Sequence, residues 1–203
     1  MRAGFYRTKK NLSTSNNSRL ELGASARHMQ GLTLIELVIT LTIFAILASI
    51  ATPSIIGQLA AMEAKKVRHE ITNTLKSAKA ESLIRHQNVF VCLIDESHHC
   101  KKDGNHALLM FLDKNNDNKY SAGVDELLSE SQLGLKYATV HLRAGNRDYT
   151  RFSADSGNPR GFMGHIKYCP KAAFDAHKYQ VSFNMAGIIK FKPNHHHETD
   201  CPT

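Results

Sequence analysis

The chain has 203 residues and a net charge of +8 at neutral pH, enough for one modest globular domain and not for two once its apolar segment is set aside. The charge is uneven: Arg2, Arg7, Lys9, Lys10, Arg19 and Arg27 against Glu21 give residues 1–31 a balance of +5, which leaves +3 of the +8 for everything after them. No Gly-x-Ser-x-Gly, phosphate-loop or His-Glu-x-x-His pattern occurs, so the usual hydrolase, nucleotide and metallopeptidase signatures are excluded.

Residues 1–31 form a basic segment, rich in Asn and Ser between Asn11 and Ser18, with the composition of a disordered leader. Met29 is a second candidate start, but it would drop every one of those charges. An otherwise uncharged run then extends from Leu32 to Thr52 and stops at Pro53. At about 1.5 Å per helical residue it spans roughly 30 Å, one hydrocarbon core. The basic leader fits retention on the cytoplasmic side, with the remainder exported. One carboxylate, Glu36, interrupts the run near its start. An acidic group at the bilayer centre costs about 2.5–3.5 kcal/mol or more, less near the interface, so a partner for Glu36 is expected. An ordinary secretory signal is the competing reading, with Leu37–Ile50 as its apolar core and cleavage after Ser49-Ile50-Ala51.

Beyond Pro53 the apolar pattern becomes periodic. Val67, Ile71, Leu75, Ala78 and Ser82 form one helical face, and Glu63, Lys65, Lys66, Arg68, Glu70, Lys76, Lys79 and Glu81 take mostly solvent positions. Pro53 lacks an N–H and should kink one long helix rather than start a new domain. That helix is expected from Leu32 to about His86. Short apolar runs bounded by turn residues then predict strands at 89–94, 107–112, 126–130, 139–143, 149–153, 161–168, 179–183 and 187–191. The fold class is therefore α+β, one long N-terminal helix packed on antiparallel sheets. The expected divisions are 1–31, 32–52, 53–87 and 88–203.

The segment Asp113–Lys119 invites comparison with a calcium loop, but Asn118 stands where Gly is wanted and Val124 where the bidentate Glu belongs, so an Asn/Asp-rich turn is the reading. His98-His99-Cys100 and His195-His196-His197 with Cys201 lack fixed metal-ligand spacing, and neither a metal nor a cofactor is expected. Four cysteines in an exported domain allow three disulfide connectivities. The expected one is Cys92–Cys100, closing a hairpin tip, with Cys169–Cys201 tying the tail to a strand. On the chain-entropy account these closures contribute roughly 2.6 and 3.7 kcal/mol. Between Leu133 and Lys192, ten Lys or Arg residues face three Asp. Such a surface holds phosphates without reading bases. Lys190, Lys192, Arg160 and Lys167 are its candidate DNA contacts.

Gly31-Leu32-Thr33-Leu34-Ile35-Glu36, with Pro53 at the end of the run, resembles the class III signal of type IV pilins and pseudopilins. The resemblance implies cleavage after Gly31 by a prepilin peptidase, N-methylation of Leu32, and pairing of Glu36 with a terminal amine during assembly. Leu32 stands where that family most often has Phe. Phe111-Leu112-Asp113-Lys114-Asn115, followed by Gly123, Asp125-Glu126 and Leu127-Leu128, is similar to the Asp-x-Asn hairpin of the FimT/FimU minor pilins, as is the Cys92/Cys100 spacing. The resemblance implies a non-enzymatic subunit anchored in the inner membrane, its globular domain in the periplasm, whose partners are other pilins or pseudopilins. The GspH-like minor pseudopilins of type II secretion are the alternative group. Many FimT proteins carry a Gly-Arg-x-Arg motif near the C-terminus, associated with DNA capture. Here the matching residues are Gly187-Ile188-Ile189-Lys190, both arginines being absent, and DNA is an alternative partner.

Overall fold

The computed structural model describes residues 33–202, so Gly31 and Leu32 lie outside the described residues. By internal packing the chain divides between Phe44 and Ala45. Helix α1 (Leu34–Arg85) is assigned continuously through Pro53, and its C-terminal part belongs to the larger unit with every strand. Its buried stripe, Ala60, Ala64, Val67, Ile71, Leu75, Ala78 and Ser82, contains the whole of the predicted face.

Eight strands follow: β1 (Val89–Ile94), β2 (Ala107–Leu112), β3 (Glu126–Gln132), β4 (Ala138–Arg143), β5 (Tyr149–Phe152), β6 (Gly164–Pro170), β7 (Tyr179–Phe183) and β8 (Ile189–Pro193). They form two antiparallel sheets, ordered β3-β2-β1-β5 and β4-β6-β7-β8. Two predicted strands start too early. Gly161 (φ 70°) and Gly187 (φ 68°) occupy left-handed turns, where glycine is the residue least penalised, so β6 begins at Gly164 and β8 at Ile189. A short 3₁₀ helix at Ala172–His177, between β6 and β7, had no periodic signal to announce it.

β1 and β2 are buried along their full length. Val89, Val91, Leu93, Leu108, Met110 and Leu112 join the main core with the helix stripe and with Val140, Ile166, Tyr168 and Val181 of the second sheet. The alternate residues Phe90, Cys92, Ile94, Ala107, Leu109 and Phe111 form a second cluster, against which Cys100, Tyr120 and Tyr149 pack. The Asn/Asp-rich turn thus helps cover a sheet face. Asp113 accepts the amides of Asn116 (2.7 Å) and Asn118 (2.8 Å), and Asp125 accepts those of Lys114 (2.9 Å) and Ser121 (2.7 Å). Those carboxylates hold the loop in shape, which brings Tyr120 edge-on to Phe111 at 5.3 Å.

Two residues assigned to solvent are structural instead. Glu63 accepts the backbone amides of Lys136 (2.7 Å) and Tyr137 (3.2 Å) and the hydroxyl of Tyr168 (3.0 Å). Lys79 donates to the carbonyl of Gly187 at 3.2 Å. Tyr168 stacks on Tyr179, whose hydroxyl donates to the Ala64 carbonyl at 2.9 Å. Burial, reinforced by the neighbouring Glu63 carboxylate, raises the Tyr168 pKa, and burial likewise raises that of Tyr179. The helix is therefore docked by polar contacts around an apolar seam.

Candidate functional site

The first candidate site is the front of α1. Thr33 caps it: its hydroxyl oxygen accepts the Glu36 amide at 3.3 Å and its carbonyl accepts that of Leu37 at 3.1 Å. Thr33-x-x-Glu36 is a capping signature that the sequence reading overlooked. Glu36 therefore sits in the first helical turn, where the helix dipole favours an anion by about 0.3–1 kcal/mol. Every residue from Thr33 to Thr52 is exposed, including Leu34 (82%), Ile35 (69%) and Phe44 (69%). The hydroxyls of this stretch satisfy themselves: Thr40, Thr42, Ser49 and Thr52 each donate to a carbonyl one turn back, at 2.7–2.9 Å. An apolar exterior with internally bonded polar groups suits lipid or the packed core of a helical fibre. The helix is long and apolar enough to cross a membrane.

The second is the outer face of the β4-β6-β7-β8 sheet. Its register aligns His141, Lys167, Gln180 and Lys192 in one row, and Arg143, His165, Ser182 and Lys190 in the next. Side chains two residues apart on a strand share a face, so Lys167, Lys190, Lys192 and Arg143 lie on the same face, with Gln180 of β7 between Lys167 and Lys192. Arg160 is not part of these rows. It lies in the β5–β6 connection, paired with Asp155 at 3.1 Å. Arg143 donates to Asp103 at 2.9 Å, and Lys167 to the carbonyl of Asp200. Lys190 and Lys192 make no side-chain hydrogen bond or ion pair among the described residues. Partial desolvation opposes the Asp103 charge, but His141 and Arg143 outweigh it and keep its pKa below the usual value. The tail runs along this face, held by the Cys169–Cys201 disulfide (Cα–Cα 5.8 Å). A depression of about 620 Å³ results, lined by Arg143, His165, Lys167 and Lys192 together with Glu198 and Asp200 of the tail.

His165 reports the electrostatics of that depression. Burial first, then the cations Lys167, Arg143 and Lys192 and the nearby His197, push its pKa down to about 4. Its Nε2 is buried without a hydrogen-bond partner. The second disulfide, Cys92–Cys100 (Cα–Cα 5.5 Å), closes the β1–β2 tip on the other sheet, and no free cysteine remains.

Comparison with known proteins bears on both regions. Residues 68–187, more than half of the chain, match the family described as Type II transport protein GspH. The chain belongs to the GspH family. Residues 26–52 separately match the Prokaryotic N-terminal methylation motif, which spans Gly31, Leu32, Glu36 and the apolar run up to Thr52. Membership and motif together make this a GspH-family protein that carries an N-terminal methylation motif ahead of its family domain. No curated protein matches the chain. Among solved structures, the type IV minor pilin FimU of Pseudomonas aeruginosa is similar at 16% identity and a TM-score of 0.46, over 68% of this chain and 94% of that one. The minor pseudopilin EpsH of the type 2 secretion system of Vibrio cholerae is similar at 13% identity and a TM-score of 0.46, over 64% and 97%. Likeness at these values bears on neither partners nor ligands. Members of the GspH family are structural pilins rather than enzymes, and the apolar front of α1 fits anchoring in an inner membrane.

Proposed function

We propose that this GspH-family protein is a minor pilin of a type IV pilus, assembled at or near the fibre tip with other pilins. The precursor is cut after Gly31 by a prepilin peptidase, Leu32 becomes the methylated terminus, and Pro53 supplies a bend in the helix. The globular domain faces the periplasm before assembly, and its role is assembly rather than chemistry. The observation that carries this reading is the exposed apolar front of α1 with a single carboxylate, Glu36, in its first turn. A terminal amine on a neighbouring subunit gives that carboxylate a partner, offsetting the cost of placing it in an apolar surround. Support for a pilus over a secretion apparatus comes from the Cys92/Cys100 pair and the Asp113-Lys114-Asn115 hairpin. The test is fractionation of sheared surface fibres. The protein should co-purify with pili and vanish from that fraction when the major pilin gene is deleted. Absence from pili, combined with failed export of type II substrates in the null strain, would overturn the assignment.

A second reading, DNA capture by the same tip subunit, draws on the register that puts Lys167, Lys190 and Lys192 on one face of the sheet. Such binding is non-specific and weakens steeply with salt, because it proceeds through counterion release. Duplex retardation by the native protein at low salt, reduced by Lys190→Ala with Lys192→Ala, supports it. No retardation at about 50 mM salt removes it.

A further inference from the structure

We propose that His98, His106 and Glu130 form a transition-metal site, with zinc(II) the ion this donor set fits best. One donor atom from each residue lies within 4.8 Å of the others, and His98 Nε2 is 3.9 Å from Glu130 Oε1. In a tetrahedral zinc site with bonds of about 2.0–2.2 Å, ligand atoms stand roughly 3.3–3.6 Å apart. Side-chain rotations of an ångström or so close the remaining distance. Two imidazoles and a carboxylate are a borderline-soft set suited to zinc, and three protein ligands leave a fourth position for water or a group from another subunit.

The backbone carrying these donors is fixed from several directions. His98 sits at the β1–β2 tip, its amide donating to the Asp95 carbonyl at 3.1 Å, while the Asp95 carboxylate accepts the amides of Ser97 (3.0 Å) and His99 (3.1 Å). Lys101 pairs with the same carboxylate at 2.5 Å, and the Cys92–Cys100 disulfide closes the tip. His106 precedes β2, its amide donating to the Ile94 carbonyl at 3.0 Å and its carbonyl accepting from Leu133 at 3.2 Å. Glu130 lies on β3, opposite Leu109 of β2. Gln132 adjoins the set: its amide donates to Glu130 Oε1 at 2.9 Å, which steadies that carboxylate, and lies 3.3 Å from His106 Nε2, a contact that an ion at this nitrogen displaces. His98 is exposed, so an ion has an open approach. Bound there, it would brace the hairpin tip against β3. The neighbouring Cys100 plays no part as a ligand, since its sulfur is in the disulfide.

The experiment is calorimetric titration of ZnCl2 into the untagged, metal-stripped full chain in detergent, with melting followed in parallel. One zinc per chain is expected, with a melting temperature that rises on addition. His98→Ala, His106→Ala and Glu130→Gln should each weaken binding by about tenfold or more and abolish the rise. His98 is exposed and Glu130→Gln conserves shape, so these two variants report on binding even if His106→Ala folds poorly. Replacing His195, His196 and His197 together should leave the affinity unchanged. No binding at micromolar zinc, binding that survives His98→Ala and Glu130→Gln, or binding lost only with the His195–His197 variant would overturn the site.

Discussion

The two halves of α1 are built from one continuous helix and obey opposite rules. From Leu34 to Ile50 the apolar side chains point outward in every direction, and the few polar groups bond back to the helix itself. From Ala60 to Ser82 one apolar stripe is buried against the sheets, while Glu63 and Lys79 reach across to fixed backbone partners. The difference separates two sources of stability. The second half holds the domain together, whereas the first contributes nothing to the domain's core and is free to serve lipid or neighbouring subunits.

Paired truncations should expose that asymmetry most strongly. Leu75 is fully buried, so Leu75→Ala should cost the domain about 2–5 kcal/mol in denaturant unfolding. Ile43 is half exposed, and Ile43→Ala should leave the same transition unmoved. Equal losses from the two would mean the halves are not independent. A smaller effect is expected at the polar dock. Glu63→Ala removes the acceptor for two amides and a tyrosine hydroxyl, at about 1–3 kcal/mol for the groups left unsatisfied. If Glu63 behaved like a surface carboxylate, the unfolding midpoint would not shift.

A pH-dependent effect contrasts the buried sheet faces with the basic one. The unfolded chain protonates His165 near 6.5, the folded chain only at about 4. Between these values the unfolded state binds more protons, so this residue makes stability fall as pH drops through that window. His165→Gln should flatten the decline between pH 6.5 and pH 4 and leave stability at pH 8 nearly unchanged. An identical slope in the variant would assign the acid sensitivity to other groups.

What the sequence made legible follows from range. The stripe from Val67 to Ser82 and the cores of all eight strands were readable because periodicity and turn residues are local signals. Glu63 was misplaced because its partners lie at Lys136, Tyr137 and Tyr168, brought near only by the docked helix. The basic face needed the β4-β6-β7-β8 register, which no single strand encodes, and so Arg160 was grouped with Lys167, Lys190 and Lys192 by charge alone. His98, His106 and Glu130 come from three separate segments, and the adjacent His98-His99-Cys100 drew attention to a residue whose sulfur is committed to Cys92. Thr33 is different: its capping signature was local and simply went unread.

On the proposed function, the exposed front of α1 serves assembly, with Glu36 as its one charged group. The direct measurement is the amount of Glu36→Leu protein in purified fibres, relative to its amount in the inner membrane. Loss of one partner from a buried ion pair costs about 3–5 kcal/mol, and 1.4 kcal/mol is a factor of ten. The variant should therefore stay at full level in the membrane and fall by at least about tenfold in the fibre. Recovery in fibres at the native ratio would contradict the account.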